Sequence, residues 1–182
     1  MLIGITGTLG SGKGTIVDYL VKKRGFKHYS VRQFITSEII RKKMIVNRDN
    51  MVKIANLLRE KYGSSYIIRR LYKEAIKQGG NMVIESIRNP NEAKFLKQKG
   101  AIIFSVDADP KLRYKRIKLR SNETDNVSFR QFMKQEKREL TSKLTSAINL
   151  NKVISMADYN FSNNGTKKKL YNKIEAVFKN IS

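Results

Sequence analysis

Short apolar runs alternate along this chain with longer segments whose apolar residues recur every three or four positions. The runs occupy residues 2–6, 28–31, 81–85, 101–107 and 158–162. Short runs separated by helical segments are typical of repeated β-α units, in which parallel strands form a sheet covered by helices on both faces. The pattern therefore predicts an α/β fold in three layers, α/β/α, around a five-stranded parallel sheet.

The long stretch between the second and third runs carries only helical patterns, at 33–43, 48–62 and 64–78. It predicts a helical insertion at about residues 32–79, beside the sheet. The chain has 182 residues, which is enough for one sizeable core and too few for two ordinary domains. We therefore expect a single domain that spans residues 1–182.

The segment that follows the first run, GTLGSGKGT at residues 7–15, has the spacing of a phosphate-binding loop. Its glycines let the backbone turn successive N–H groups inward, and Lys13 adds an ammonium for the β and γ phosphates. The helical pattern from 13 to 23 points the positive end of a helix at the same anion. A strand, this loop and a helix in that order predict a P-loop NTPase fold. The predicted nucleotide contacts are Gly7, Gly10, Ser11, Gly12, Lys13, Gly14 and Thr15.

One position departs from the usual phosphate loop. A Ser or Thr that ligates magnesium normally follows the lysine directly, whereas Gly14 stands there in this chain and the hydroxyl comes one residue later, at Thr15. We therefore expect Mg²⁺ to be held mainly through waters, with Thr15 as a ligand.

Polar residues follow the second and third runs, where ligands collect in an open parallel sheet. Ser30 and Arg32 follow the second run, and an arginine there can fork onto an acceptor phosphate, although an exposed helix residue is the alternative. Glu85 closes an apolar strand, which costs desolvation that a structural role does not explain, and it can orient magnesium waters. Arg88, three residues on, can grip the acceptor phosphate. Ser30, Arg32, Glu85 and Arg88 are thus the predicted acceptor residues.

The Gly-Lys-Gly-Thr ending of the loop resembles adenylate kinases and related nucleoside monophosphate kinases. The turn at 85–90 is similar to their Asp-Gly-x-Pro-Arg segment, with Glu85 in place of Asp and Arg88 matching the phosphate-binding arginine. The resemblance implies ATP as donor, Mg²⁺, and a small-molecule nucleotide as acceptor. It also places a short lid at about 120–128, and Arg116 and Arg120 match the two arginines that begin that lid.

Arginines that close over the phosphates neutralise charge during transfer and exclude water. Arg116 and Arg120 lie four residues apart on one helical face and suit this task. We expect Arg113, in the same helix, to be an exposed residue. Arg138 is a weaker candidate for the phosphate cluster. Asp109, directly before Pro110, is predicted to cap the helix instead of serving catalysis.

The segment 157–166, which ends in Asn-x-Gly-Thr, resembles the corresponding part of dephospho-coenzyme A kinases and deoxynucleoside monophosphate kinases. We expect its loop at 163–166, through Asn164, to lie against the donor base, with an ordinary turn as the alternative. From end to end the chain is similar to an uncharacterised archaeal group of nucleotide-kinase-like proteins. The shared features are the phosphate loop, the acid-x-Ile-Arg turn and the Glu-x-Arg-Glu-Leu helix at 136–140.

The composition narrows the chemistry. Cysteine is absent and His28 is the single histidine, so disulfides, thiolate metal sites and histidine clusters are excluded. The chain begins with a strand instead of a signal sequence, and no apolar run approaches the ~20 residues of a membrane span, so we expect a cytoplasmic protein without a membrane partner, as a monomer or homodimer.

The net charge is +23, from 38 Lys and Arg against 15 Asp and Glu. The lysines scatter, and the cluster at 167–169 is expected to be solvated. We therefore favour solvated helix faces over a nucleic-acid surface, which stays possible.

The leading hypothesis is phosphoryl transfer from ATP, with Mg²⁺, to a ribo- or deoxyribonucleoside monophosphate. Such an acceptor is already ionised, so the site needs no general base. One alternative is a dephospho-coenzyme A kinase, a family in which Asp-x-Asp follows the second strand. Here that place reads YSVR at 29–32, without an acid, so Glu85 would have to serve as the base. Another alternative is an RNA-associated ATPase switch, for which the charge is the support.

Overall fold

The computed structural model describes residues 1–120, 127–141 and 148–181, and in them the five apolar runs form one parallel sheet. The strands are β1 (Leu2–Gly7), β2 (Lys27–Ser30), β3 (Met82–Glu85), β4 (Ile102–Asp107) and β5 (Tyr159–Ser162). Their order across the sheet is β2-β3-β1-β4-β5, and all four neighbouring pairs are parallel. The predicted sheet is confirmed. Because β1 lies between β3 and β4, the loops after these three strands meet at the switch point where ligands collect.

The helices of the described residues follow the predicted order closely. They are α1 (Lys13–Arg24), α2 (Val31–Arg41), α3 (Arg48–Tyr62), α4 (Tyr66–Gln78), α5 (Pro90–Gln98), α6 (Pro110–Arg120), α7 (Phe129–Leu140), α8 (Leu150–Ile154) and α9 (Lys167–Ile181). Helix α2 begins two residues before the predicted start, because the side chain of Ser30 accepts a hydrogen bond from Gln33 N and caps the helix. The five-residue α8 was not predicted, since so short a helix has no periodicity to read.

Alternate residues of the central strands point to opposite layers. Ile3, Ile5 and Val83 are fully buried with α1 and α9 on one face. Ile84 and Ile103, also fully buried, pack with α2 to α5 and α8 on the other. Because side chains alternate along a strand, each apolar run serves both layers, and the three-layer arrangement is confirmed.

Helices α2, α3 and α4 form the predicted insertion between β2 and β3. Asn47 caps α3 by accepting a hydrogen bond from Asn50 N at 2.8 Å. Ile54 and Leu58 turn inward to the core. Val52, Ala55 and Arg59 line a large cavity at the carboxyl edge of the sheet. The insertion therefore supplies one wall of that cavity. Across the three described ranges, no helix combines the length and apolar character that crossing a bilayer requires.

Candidate active site

A cavity of about 610 Å³ lies at the carboxyl edge of the sheet, where the phosphate loop faces the helical insertion. Its lining is strongly cationic. The basic lining residues are Lys13, Arg32, Arg48, Arg59, Arg88, Arg116, Arg120 and Lys167. The acidic ones are Asp18, Glu85 and Glu139. This excess of positive charge in a concave, partly enclosed site favours polyanionic ligands such as nucleotides.

The phosphate loop is held in shape by close backbone packing. Gly12 has φ of 110°, and a Cβ there would collide with Asn163 Nδ2. Gly7 has φ of 140°, and a Cβ would meet the carbonyl oxygen of Val106. Only glycine suits both the conformation and the space at these positions. The loop therefore keeps one backbone path, and its presentation of N–H groups to an anion stays a prediction.

The side chain of Lys13 lies across this loop. Its Nζ donates hydrogen bonds to Gly7 O at 2.9 Å and to Thr8 O at 2.8 Å. Burial lowers the pKa of Lys13 to about 7, and the positive charge of Arg88 contributes in the same direction, while the carboxylates of Glu85 and Glu139 oppose them. A bound polyphosphate would add negative charge next to this ammonium and raise its pKa.

The loop after β5 contacts the phosphate loop through Asn163. The Asn163 side chain donates from Nδ2 to Ser11 O at 2.8 Å, and Arg116 Nη2 donates to Asn163 O at 2.8 Å. Asn164, the residue predicted to contact the nucleotide, instead accepts a hydrogen bond from Asp109 N at 2.8 Å. Asn163 lines the cavity and Asn164 does not. A nucleotide contact by Asn164 stays a prediction.

Glu85 stands at the end of β3 inside the cavity. It accepts a hydrogen bond from Ser30 Oγ at 3.0 Å, and His28 Nε2 lies 3.8 Å from its Oε1. Burial acts to raise the pKa of Glu85, but the neighbouring His28 side chain, the charge of Lys13 and the hydrogen bond from Ser30 outweigh it and hold the pKa below the usual range. The carboxyl group is therefore ionised at neutral pH, as a magnesium-orienting residue requires.

The donors around the phosphate loop fit Mg²⁺ held together with bound phosphates. Thr15 and Glu85 both line the cavity, and they offer one hydroxyl and one carboxylate. Within the described part of the chain, no group of three His, Asp or Glu side chains is arranged to hold a metal. Mg²⁺ usually takes one or two protein ligands plus phosphates and waters, so this sparse donor set suits it.

Glu139 of α7 joins the acceptor residues to the insertion, a contact that sequence reasoning missed. Its carboxylate pairs with Arg88 Nη1 and, at 2.5 Å, with Arg48 Nη2. Burial acts to raise the pKa of Glu139, but the charges of Arg88, Arg48 and Lys13 outweigh it and keep the pKa low. Glu139 thus fixes the arginine predicted to grip the acceptor. The sole sequence signal for it was the Glu-x-Arg-Glu-Leu helix.

Helix α6 turns two of its three arginines toward the cavity. Arg116 and Arg120 line the cavity, as predicted for residues that close over phosphates. Arg113 was expected to be exposed, and that expectation is wrong, because its side chain is 2% exposed. It donates to Ala108 O at 2.7 Å and pairs with Glu136, since α6 packs between the phosphate loop and α7.

Other predicted residues lie around the cavity without lining it. Ser11, Ser30 and Gly7 are buried behind it, and Ser30 acts as the cap of α2 and the partner of Glu85. Arg138 is exposed and faces a neighbouring groove with Asn56. The predicted lid at about 120–128 falls mostly on 121–126, outside the described residues.

Two smaller predictions are confirmed. Asp109 caps α6 by accepting a hydrogen bond from Lys111 N at 2.9 Å. The lysines at 167–169 are exposed, and Lys167 also lines the cavity.

Comparisons with known proteins give the family and the fold. The sequence model of the AAA_18 family, described as an AAA domain, matches residues 3–141. The UPF0200 protein of Methanococcus vannielii is 32% identical over 184 residues, which cover 99% of this chain and 96% of the relative. The chain belongs to the UPF0200 and AAA_18 families. A UPF0200 protein of Thermococcus gammatolerans is 25% identical over 100% of this chain and 95% of its own. The predicted end-to-end resemblance to an archaeal group is confirmed.

Solved structures share the fold at low sequence identity. TT1252 from Thermus thermophilus has a TM-score of 0.63 and 18% identity, covering 100% of this chain and 98% of its own. Shikimate kinase from Acinetobacter baumannii, in complex with shikimate, has a TM-score of 0.62 and 16% identity, covering 100% and 94%. This member of the UPF0200 family therefore has a P-loop kinase-like fold. Its acceptor has to be argued from the site.

Proposed function

We propose that the protein transfers the γ-phosphoryl group of ATP, with Mg²⁺, to the phosphate of a ribo- or deoxyribonucleoside monophosphate. The observation that carries this proposal is the gathering of cations from the phosphate loop and from the insertion in one cavity. Lys13 and Arg116 contact the phosphate loop, and Arg32 belongs to α2 of the insertion. Arg88 and Arg120 line the same cavity. Two anionic substrates brought together need such charge on both sides of the transferred group.

The state of the acids supports a phosphate acceptor over a hydroxyl acceptor. A hydroxyl must lose a proton during transfer, which calls for a carboxylate that accepts it readily. The cavity-lining Glu85 and Glu139 both have lowered pKa values and are engaged by Ser30 and by arginines. Asp18, the third acidic residue of the lining, is exposed on α1, and Asp107 and Asp109 do not line the cavity. An ionised phosphate acceptor needs no such base, and catalysis then rests on positioning and charge neutralisation.

Each residue has a separate task in this proposal. The phosphate loop and Lys13 hold the donor phosphates, with Arg116 and Arg120 against the transferred group. Arg88, fixed by Glu139, orients the acceptor phosphate, and Arg32 faces it from α2. Mg²⁺, held with Thr15 and Glu85, screens charge between the phosphates when bound. The low-dielectric cavity strengthens all of these interactions relative to bulk water.

The test is acceptor-dependent ADP release from ATP and Mg²⁺. The panel contains the common ribo- and deoxyribonucleoside monophosphates, and dephospho-coenzyme A and shikimate as hydroxyl acceptors. Lys13→Ala removes the loop ammonium, and Lys22→Ala removes an exposed lysine of the same helix as a charge-matched control. We expect turnover on a monophosphate that Lys13→Ala abolishes and Lys22→Ala keeps.

Two results would contradict the proposal. Turnover confined to dephospho-coenzyme A or shikimate would show a hydroxyl acceptor and make one of the acids a base. Slow ATP hydrolysis that no acceptor accelerates, and that RNA stimulates, would favour the RNA-associated ATPase switch instead.

A further inference from the structure

Arg59 is a cavity-lining arginine that the roles above leave unused. It lies on α3, its side chain is 1% exposed, and its partner Glu92 is fully buried. Arg59 Nε and Nη2 contact Glu92 Oε1 at 2.9 and 2.8 Å. The pair spans from the insertion to the start of α5, so the guanidinium is held rigidly at the cavity wall.

The third nitrogen of this guanidinium, Nη1, has a different environment from the two nitrogens that contact Glu92. Arg59 Nη1 is buried and, among the described residues, makes no hydrogen bond. A buried donor without an acceptor costs free energy that a purely structural arginine would avoid. Because Arg59 lines the cavity, an oxygen of a bound ligand is an acceptor that can satisfy it.

The surroundings of Arg59 indicate which part of a ligand it meets. Its partner Glu92 also accepts hydrogen bonds from the backbone N of Arg88 and of Asn89, each at 3.0 Å. Arg59 is therefore a neighbour of the residue proposed to hold the acceptor phosphate. The wall beside it is apolar, with Ile35, Met51, Val52 and Ala55. An apolar wall with a single fixed donor suits a flat heterocycle that carries a hydrogen-bond acceptor.

We propose that Arg59 selects acceptor nucleotides whose base carries a keto oxygen at C6 of a purine or at C4 of a pyrimidine. This inference rests on the proposed function. In it, Arg59 Nη1 donates to that oxygen in guanine, hypoxanthine, uracil or thymine. Adenine and cytosine carry an amino group at the equivalent position, so two donors would face each other. A site built around a buried donor rejects such a ligand because the donor stays unpaired.

The experiment uses two pairs of monophosphates that differ between keto and amino at one ring position. Inosine monophosphate is compared with AMP, and UMP with CMP, by kcat/KM in phosphoryl transfer and by Kd in calorimetry without ATP. We expect each keto nucleotide to be favoured by about tenfold or more, the effect of one charged hydrogen bond. Equal values, or a preference for the amino partner, would overturn the inference.

Arg59→Lys is the matching variant, since it keeps a cation opposite Glu92 but lacks Nη1, the nitrogen proposed to donate to the base. We expect the keto-to-amino ratio to collapse toward one while the KM for ATP is unchanged. If this variant does not fold, Arg59→Gln combined with Glu92→Gln replaces the ion pair by a neutral pair, and the amide oxygen introduced at position 92 can still accept from Arg88 N. A ratio that survives in a folded variant contradicts the role of Arg59, because a structural residue would move all acceptors together.

The two readouts separate this inference from the proposed function. Phosphorylation of monophosphates without a keto preference refutes the role of Arg59 alone. Keto-selective binding without any phosphorylation refutes the kinase proposal and leaves the selectivity of Arg59 standing.

Discussion

The ammonium of Lys13 is expected to make nucleotide affinity fall as the pH rises above 7. Burial lowers the pKa of Lys13 to about 7, helped by the charge of Arg88. A bound polyphosphate favours the charged form and raises that pKa, so binding takes up a proton wherever the free protein has lost it. The affinity then falls by about tenfold for each pH unit above 7, until the pKa of the complex is reached.

Calorimetry with a non-hydrolysable ATP analogue measures this directly. Titrations between about pH 7.5 and 9 avoid the ionisation of a phosphate group, whose pKa is about 6. Buffers of different ionisation enthalpy give the number of protons taken up, which we expect to approach one. Lys13→Arg keeps its charge across this range and should show a level affinity. A level affinity in the wild-type protein, with no proton uptake, would refute the reasoning.

Lys13 should also make the stability of the folded protein depend on pH, in the direction opposite to that of nucleotide affinity. Its pKa in the folded protein, about 7, lies below the ordinary value of 10.5, so the unfolded chain binds more protons between these two values. Stability of the nucleotide-free protein therefore gains with pH in that window. The difference in Tm between wild type and Lys13→Met, followed from pH 7 upward, isolates this contribution. A difference that stays constant with pH would contradict it.

Four further substitutions have defined outcomes. Glu139→Gln removes a carboxylate that raises the pKa of Lys13, so the loss of nucleotide affinity at alkaline pH should begin at a lower pH in calorimetry. Arg88→Met removes a cation that lowers this pKa, so the loss should begin at a higher pH. Arg113→Ala leaves a buried carboxylate unpaired and should cost about 3–5 kcal/mol in urea unfolding, against little for the exposed control Lys115→Ala. Gly14→Ser meets open space in the first turn of α1, so Tm should hold or rise, and the hydroxyl beside Lys13 should lower the Mg²⁺ concentration needed for half-maximal turnover.

Local patterns were sufficient to predict the sheet and the phosphate loop. A strand of this sheet is a short apolar run whose residues face both layers, and it can be read without knowing its neighbours. The phosphate loop likewise depends on consecutive residues, and the positive φ values of Gly7 and Gly12 agree with it. Residues at strand ends, such as Glu85 and Arg88, were predicted because topology alone brings them to one edge.

Contacts between distant segments could not be predicted from such patterns. Glu139 reaches Arg48 across 91 residues, and Arg59 reaches Glu92 across 33. Nothing local distinguishes these side chains from solvated helix charges. Arg113 was wrongly predicted to be exposed for the same reason. Its helix is rich in basic residues, and Arg113 lies with Ile117 on the buried face. A buried arginine depends on its partner, and the partner is set by tertiary packing.

Through Arg88, an anion bound on one side of the cavity changes the pKa of Lys13 on the other side. Arg88 pairs with Glu139 and also lowers the pKa of Lys13, so any anion that binds at Arg88 weakens the repulsion felt by the loop ammonium. An acceptor phosphate would then raise the charged fraction of Lys13 and strengthen donor binding, and the donor must strengthen acceptor binding by the same factor. This coupling vanishes well below pH 7, where Lys13 is already charged. The factor by which each substrate strengthens binding of the other should therefore grow with pH. Such growth would show that the proposed acceptor site and the phosphate loop are coupled through the protonation of Lys13.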